Sequence, residues 1–465
     1  MRGTEAFKGD NHSRRHVLAA GRAILAALLL ATPGLAQQAQ APAPYTRAIA
    51  AGYKAAFLCS GVFIAGRAPA QIEALELTGI YPEYERLVAT LPAEIDRAKG
   101  QVTVRFEPDL PPRVARYHPE TGCANLPIGA PVPASGTAPP PPPGPDPRPW
   151  PIGDALPKIA HPALPAVERA FAGAYRGRTT GVVILRENRI IAERYAEGFG
   201  PFTAQRTWSV AKSITGTLVG IAAKRGAVSV GERARVPEWQ HPGDPRAAIT
   251  LDQLLRMASG LHSATAGNRT DALYFGGTAV TEEAPHWPIE AKPGTRFRYA
   301  NNDILLAMRS LRAALGEEAY RDFPKTALFA PLGMRHTVAE TDWRGNYVSS
   351  SQIWTTARDL ARFGLLYLND GVWNGARLLP EGWRHYVTRA SGPQPASGFG
   401  YGATFWLMRG TAGVPEDAFS ANGNRGQYVV IVPSRGIVIV RRGEDAANAN
   451  FDIAKFTADV LAEVK

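Results

Sequence analysis

The stretch TWSVAKSITGTLVGIAAKRG, residues 207–226, places Lys212 three residues after Ser209 at the start of an apolar helical pattern. The chain has only ten lysines against 42 arginines. A lysine amine can lose its proton when buried, whereas a guanidinium cannot. Residues three apart on a helix share one face, with Cβ atoms about 5–6 Å apart. The spacing therefore predicts that the amine of Lys212 lies beside the hydroxyl of Ser209.

A serine beside a lysine is one arrangement for nucleophilic catalysis. The hydroxyl is a weak nucleophile and needs a neighbouring base, which a desolvated lysine can supply. The N–H groups at a helix start favour a developing oxyanion. An S-x-x-K pattern is also compatible with an ordinary serine near a helix start and a solvated lysine one turn later. It occurs once in this chain.

A second polar box, Tyr299-Ala300-Asn301, precedes another apolar helical segment. A tyrosine near a cation can relay protons, and an asparagine can hold both a lysine and a substrate amide. The other Y-x-N, at Tyr367 and Asn369, falls at the end of an amphipathic helical pattern. Packing is sufficient to explain that second copy.

These boxes resemble those of the serine hydrolases related to class C β-lactamases and D-alanyl-D-alanine peptidases. That family carries S-x-x-K, then Y-x-N, then a third box on a strand edge, usually K-T-G or H-x-G. The order here is the same, and phrases such as ITLDQLLRMASGLHS and LFAPLGMRHT are similar to the family over roughly residues 165–460. The resemblance implies a β-lactamase/transpeptidase-like fold of the α/β (α+β) class.

The third box departs from the commonest pattern. No K-T-G exists, and the lone H-x-G, at His241, lies in a loop between the first two boxes. The candidate is Ala421-Asn422-Gly423 before a strand, followed by G-x-x-G-Q, residues 423–427. This resembles the branch that includes esterases and 6-aminohexanoate-oligomer hydrolases. The resemblance implies an oxyanion hole formed by the N–H groups of Ser209 and Asn424, with Gly423 allowing close approach to the strand edge.

The same resemblance implies an acyl-enzyme mechanism on an amide or ester bond. Ser209 is the expected nucleophile, Lys212 and Tyr299 move protons, and Asn301 orients them. The expected partner is a small-molecule or short-peptide substrate, and neither a metal nor an organic cofactor is implied.

Two other functions remain open from the sequence. One is a penicillin-binding, β-lactamase or D-alanyl-D-alanine peptidase type of protein acting on β-lactams or cell-wall peptides. The other is a pseudoenzyme whose N-terminal domain binds a ligand.

At 465 residues the chain exceeds one average domain. The sequence predicts a small mixed α and β domain over residues 40–128, a proline-rich linker over 131–154, and the hydrolase domain over 155–465. Strand patterns at 180–188 and 427–443 flank a helical centre. They predict one antiparallel sheet built from both ends of the hydrolase domain.

Residues 1–36 read as an export signal of the twin-arginine type. Arg14 and Arg15 precede a short apolar run, residues 23–31, and small residues before a cut after Ala36. No later segment has the roughly 20 apolar residues that a membrane span needs. A periplasmic or secreted mature protein with no stable membrane span is expected.

Charge and cysteine content complete the expectations. The net charge of +11 arises from dispersed arginines without a basic run, so nucleic acid is not an expected partner. Cys59 and Cys123 are the only cysteines. In an oxidising compartment they can form a disulfide, with two buried free thiols as the alternative.

Overall fold

A computed structural model describes residues 43–132, 138–157, 164–263 and 270–464. The expected export signal, residues 1–36, lies outside the described residues. Among the described residues, no helix has the length and apolar character needed to cross a membrane.

The first part of the described chain is a helical layer on a small sheet. Its four strands are antiparallel in the order β1-β2-β3-β4. In chain order it contains α1 (Pro44–Phe63), α2 (Pro69–Leu75), α3 (Pro82–Thr90), β1 (Ala93–Asp96), β2 (Gln101–Val104), β3 (Arg113–His118) and β4 (Gly122–Asn125). Each of the three helices begins with proline, whose fixed φ suits a first helical turn.

A disulfide joins α1 to the edge of this sheet. Cys59 in α1 and Cys123 in β4 are bonded across a separation of 64 residues. Closing a loop of that length in the unfolded chain stabilises the folded state by about 4 kcal/mol in the chain-entropy view. The disulfide therefore holds the helical layer of this small part against its sheet.

The second part of the chain alternates helices with strands. Its elements are α4 (Pro165–Phe171), β5 (Thr179–Arg186), β6 (Arg189–Tyr195), β7 (Gln205–Arg206), α5 (Val210–Lys224), α6 (Leu251–Leu255), α7 (Asp271–Tyr274), α8 (Val280–Glu283), α9 (Asn301–Leu315), α10 (Glu317–Arg321), α11 (Ala330–Leu332), β8 (Val338–Ala339), β9 (Ile353–Thr355), α12 (Ala357–Leu368), β10 (Val372–Trp373), β11 (Ala376–Arg377), α13 (Trp383–Thr388), β12 (Gly400–Tyr401), β13 (Trp406–Leu407), β14 (Phe419–Gly423), β15 (Gln427–Val432), β16 (Ile437–Gly443) and α14 (Ile453–Glu463).

The seven-stranded sheet is antiparallel, in the order β12-β13-β14-β15-β16-β5-β6. The early strand β5 pairs with the late strand β16, so the two ends of this part meet in one sheet. This confirms the fold class that the sequence predicts. The turns of both hairpins, β5 to β6 and β15 to β16, also lie where the strand patterns place them.

The central strands of the sheet are buried on both faces. In β16, Val438 and Val440 pack into the main core, while Ile437 and Ile439 pack against the layer formed by α4 and α14. Helix α12 lies on the main-core face, against β5, β15 and β16. A strand buried on both faces needs a continuous apolar run, and the segment IVIV supplies one.

Residues Pro42 to Lys465 form one compact unit. The sequence-based division of this unit at residues 128 and 155 stays a prediction. Within the unit, the first part packs directly on the second: the side chain of Arg113 donates to the carbonyl oxygen of Phe275 at 2.8 Å, and Glu340 accepts from the amide of Cys123 at 3.1 Å.

The described portion of the proline-rich segment is docked on α12. The guanidinium of Arg362 donates to the carbonyl oxygens of Pro151 at 2.9 Å and Gly153 at 2.6 Å, and to the carboxylate of Asp154 at 2.8 Å. Proline keeps this segment out of helices and central strands. The carbonyls of Pro151 and Gly153 therefore find their partner in a side chain, while other carbonyls of the segment accept from its own backbone amides.

Candidate active site

Helix α5 presents Ser209 and Lys212 as the helical spacing predicts. Ser209 stands at the residue before α5, and the amine of Lys212 donates to its Oγ at 2.9 Å. Trp208, immediately before Ser209, has a φ of 49°, in the left-handed region that a bulky side chain seldom adopts. Such a backbone conformation persists only where the surroundings impose it, and it is common at functional sites.

The amine of Lys212 is enclosed by oxygen acceptors. It is 1% exposed, and it also donates to Asn301 Oδ1 at 2.6 Å and to the carbonyl oxygen of Ser350 at 2.9 Å. Burial lowers the pKa of Lys212 to about 7, and the positive charge of Arg206 adds to that effect. Near neutral pH the amine is therefore divided between its charged and neutral forms.

These three acceptors suit both protonation states of the amine. A charged ammonium has three N–H donors, one for each oxygen. A neutral amine has two, which Asn301 and Ser350 can accept, and its lone pair then faces the hydroxyl of Ser209. A proton can thus pass between Ser209 and Lys212 without rearrangement of either neighbour.

The ring of Tyr299 packs against the amine of Lys212. Its ring centroid is 4.9 Å from Lys212 Nζ and packs 5.4 Å from the ring of Trp406. Burial raises the pKa of Tyr299 well above its usual value, against a smaller lowering by a hydrogen bond with Ser209. The phenol therefore keeps its proton near neutral pH.

Asn301 opens helix α9 and holds the lysine in place. Its Oδ1 accepts from Lys212, and its Nδ2 donates to Thr270 Oγ1 at 3.2 Å. The whole side-chain amide is thereby oriented. Contact with the lysine is one of the two roles that the sequence suggests for an asparagine here, and Asn301 also lines the cleft.

The end of strand β14 lies against the backbone that carries Ser209. A Cβ built on Gly423 would lie 2.3 Å from the carbonyl oxygen of Thr207 and 3.1 Å from the amide nitrogen of Ser209. Glycine is required here for close approach, since its φ of −132° is open to any residue. Asn424, the next residue, lines the cleft beside Ser209.

The cleft above Ser209 has a volume of about 720 Å³. Besides the residues named above, it is lined by Tyr81, Tyr274, Ser351, Ser397, Gly398, Phe399, Asn422 and Tyr428. Within the described parts of the chain, the lining is aromatic or neutral polar and includes no charged side chain. This lining offers a substrate aromatic contact and neutral hydrogen bonds.

The third box supplies no cation to this lining. Ala421 is 0% exposed within β14. Arg425 is the nearest alternative in the sequence, but its guanidinium donates to Leu75 and pairs with Glu444. Neither residue is therefore placed to meet a substrate carboxylate.

Arg206 is a residue of the site region that the sequence analysis does not identify. It is 4% exposed, and its guanidinium donates to Ser351 Oγ at 2.9 Å. Four aromatic rings surround it, with the guanidinium carbon 4.1 Å from the ring centroid of Trp208, 5.0 Å from that of Phe57, 5.5 Å from that of Tyr274 and 5.8 Å from that of Phe275. Cation–π contacts of this kind stabilise a desolvated cation. No local pattern reveals this cage, because three of its four rings come from distant segments.

No metal centre is found in the described residues, which contain no group of three or more His, Cys, Asp or Glu side chains suited to hold an ion.

Comparison with known proteins assigns the family. The sequence model of the beta-lactamase family matches residues 164–457, more than half of the chain. The chain belongs to the beta-lactamase family. It is a serine hydrolase, and the region that carries Ser209, Lys212, Tyr299 and Asn301 lies wholly within the match.

Relatives of this beta-lactamase-family chain include hydrolases of several kinds. It is 28% identical over 290 residues to the 6-aminohexanoate-dimer hydrolase of Paenarthrobacter ureafaciens, covering 57% of this chain and 72% of that protein. A family VIII carboxylesterase shares the fold with a TM-score of 0.52 at 17% identity, covering 67% and 99% of the two chains. A class C beta-lactamase does so with a TM-score of 0.50 at 14% identity, covering 65% and 95%.

Gly423→Ala tests the close approach of β14 to the nucleophile. The added methyl group meets a backbone oxygen, so the strand end or the segment 207–209 has to shift. We expect kcat/KM for a chromogenic ester to fall about 100-fold, the effect of misplacing reacting groups by about 1 Å. Thermal unfolding should remain cooperative, because the sheet interior is untouched.

The matched control is Gly400→Ala in β12 of the same sheet. There the nearest contact of an added Cβ is 3.4 Å, to a side-chain oxygen of Gln394. Equal activity losses in the two variants would contradict the proposed reason for glycine at 423.

Proposed function

We propose that this beta-lactamase-family serine hydrolase cleaves an uncharged ester or amide through a covalent acyl-enzyme on Ser209. The observation that carries the proposal is the hydrogen bond between Lys212 Nζ and Ser209 Oγ at the base of a cleft with a neutral lining. A buried amine with a pKa of about 7 is a suitable base near neutral pH.

In this mechanism, neutral Lys212 accepts the proton of Ser209 as the hydroxyl oxygen attacks the substrate carbonyl carbon. Asn301 and the carbonyl of Ser350 keep the amine oriented. Tyr299 retains its phenolic proton and donates a hydrogen bond towards the leaving group. The leaving group takes the proton that Lys212 received from Ser209. Lys212 is therefore assigned as the acylation base, in preference to Tyr299.

The developing oxyanion faces the N–H groups of Ser209 and Asn424. Such donors stabilise charge that forms only in the transition state, and one of them contributes about 10²- to 10³-fold in rate. Water then attacks the acyl-enzyme carbonyl carbon and gives a proton to Lys212. Lys212 passes this proton to Ser209 Oγ as the bond between Oγ and the acyl carbon breaks, which regenerates the free hydroxyl.

The neutral lining argues for uncharged substrates. A charge-assisted hydrogen bond to a carboxylate is worth about 1.5–3 kcal/mol. Without a cation at Ala421, a β-lactam carboxylate loses that contact, about 10- to 150-fold in binding. An uncharged ester or amide loses nothing.

Export to the periplasm or medium is a further part of the proposal. It is supported by the paired Arg14 and Arg15 before an apolar run, residues 23–31. The pairing of Cys59 with Cys123 fits an oxidising compartment.

The protonation of Lys212 predicts a pH dependence. Since the neutral amine is the active form, kcat/KM should rise as the pH increases through about 7 and then level off.

Lys212→Arg keeps the charge but cannot release a proton. It should lose more than 90% of kcat/KM, a loss above about 1.4 kcal/mol. Retention of more than a tenth of wild-type activity would assign Lys212 a purely electrostatic role.

The substrate proposal is tested with a panel of four substrates. A short acyl ester and a neutral amide should show higher kcat/KM than a cephalosporin by about tenfold or more. The linear 6-aminohexanoate dimer and the cephalosporin test charged substrates. Efficient cephalosporin turnover would reject the proposed preference for uncharged substrates.

Ser209→Ala should abolish both turnover and covalent labelling by a serine-reactive phosphonate, while its thermal unfolding changes little. Labelling of Ser209→Ala would reject Ser209 as the nucleophile.

Export is tested by fractionating bacteria that express the full chain. The wild type should be found in the periplasm or medium with its disulfide formed. The double variant Arg14→Lys/Arg15→Lys should accumulate in the cytoplasm, because the twin-arginine pathway reads the arginine pair. Equal amounts of the two proteins outside the cytoplasm would exclude this route.

A further inference from the structure

The turn after β14 contains a buried arginine in an unusual backbone conformation. Arg425 is 6% exposed and has a φ of 55°. A residue other than glycine seldom adopts the left-handed backbone conformation and keeps it only where its surroundings impose it. The turn therefore depends on whatever holds Arg425.

The guanidinium of Arg425 is held by backbone oxygens of the first part of the chain. Nη2 donates to the carbonyl of Leu75 at 2.6 Å, and Nη1 donates to those of Thr78 at 3.2 Å and Gly79 at 3.1 Å. Leu75 ends α2, so its carbonyl is one of those left without a helical partner. A guanidinium has five N–H donors in a rigid fork, enough for these three oxygens and a further partner, whereas a lysine amine has three donors.

A carboxylate completes the contacts of Arg425. Its Nε donates to Glu444 Oε2 at 3.2 Å, and Glu444 Oε1 accepts from Gln205 Nε2 at 2.9 Å. Burial and the neighbouring Glu76 raise the pKa of Glu444 to about 7. The positive charges of Arg425 and Arg67 act against this rise and favour the carboxylate form.

The other side of the turn faces the nucleophile. Gly423 lies against Thr207 and Ser209, as described above, and Asn424 lines the cleft. The carbonyl oxygen of Arg425 accepts from Gln427 Nε2 at 3.0 Å and from the amide of Asp445 at 3.2 Å. Asn424 is therefore the residue between a strand end fixed by Ser209 and an arginine fixed by residues 75–79.

We propose that Arg425 is a positioning residue, and that residues 75–79 clamp it so that the backbone N–H of Asn424 is fixed in the oxyanion hole. This inference rests on the proposed acyl-enzyme function. The clamp lies outside residues 164–457, the part that matches the family. The first part of the chain thereby becomes a working component of the active site, and its Tyr81 also lines the cleft.

A positioning role of this kind has a distinct kinetic signature. The oxyanion exists only in the transition state and the tetrahedral intermediate, so a displaced N–H lowers kcat and leaves KM nearly unchanged. A thionoester carries sulfur in place of the carbonyl oxygen, and sulfur is a weak hydrogen-bond acceptor. Its hydrolysis is therefore less sensitive to the donors of the oxyanion hole.

The test compares Arg425→Lys with Arg362→Lys in the full-length protein. Arg362 is a matched control, because it is buried and donates to two backbone carbonyls and a carboxylate of an N-terminal segment, yet lies outside the cleft. A short acyl ester and its thionoester are the substrates. Thermal unfolding reports the stability of each variant.

For Arg425→Lys we expect kcat on the ester to fall about 10- to 100-fold, with KM within about threefold of wild type. The ratio of ester to thionoester rates should fall by a similar factor. Arg362→Lys should keep both kcat and this ratio even if its melting temperature drops. An unchanged ratio in Arg425→Lys, or the same fall in Arg362→Lys, would overturn the inference.

A second variant covers the case in which Arg425→Lys does not fold. Glu444→Gln preserves the volume of the side chain but removes the charge that pairs with Arg425, so the ester to thionoester ratio should fall in the same direction. An unchanged ratio there would also overturn the inference. Phosphonate labelling of wild-type Ser209 separates the two levels: its absence would reject the proposed function, whereas labelling with an unchanged ratio would reject only the clamp.

Discussion

The buried amine of Lys212 is the constraint on which the rest of the site depends. An interior amine is costly unless each of its hydrogens meets an acceptor. Ser209, Asn301 and the carbonyl of Ser350 supply those acceptors from three segments far apart in the chain. Helix α5, the start of α9 and the segment before β9 must therefore converge on one point. The cleft forms at that point, and its base carries a hydroxyl and an amine that can exchange a proton.

The seven-stranded sheet brings a second group of atoms to the same point. Because its central strands are buried on both faces, these strands cannot shift without disturbing two layers of packing. The end of β14 is consequently a rigid support, and Gly423 lets it approach the backbone of Thr207 and Ser209. Precise placement of backbone N–H groups is what a serine nucleophile needs for oxyanion stabilisation.

The cations around the site act on the protein rather than on the substrate. Arg206 is enclosed by aromatic rings behind Trp208, and Arg425 is turned towards residues 75–79. Each is buried and bonded to backbone or side-chain atoms of the chain itself. Among the described residues, the cleft lining therefore carries no charge even though the protein is strongly basic. Specificity then depends on shape, aromatic contact and neutral hydrogen bonds.

Sequence pattern alone predicts the pairing of Ser209 with Lys212 and the strands over 427–443. Both follow from local periodicity, since helical neighbours at i and i+3 and apolar strand runs are set by the chain within one element. It also placed a glycine at the strand end through a motif. Only the tertiary structure decided that the carbonyl of Ser350 completes the lysine site and that Arg425 faces the N-terminal part rather than the cleft. Those contacts join residues more than a hundred positions apart, and the relative placement of distant segments depends on packing of the whole core, which no local pattern encodes.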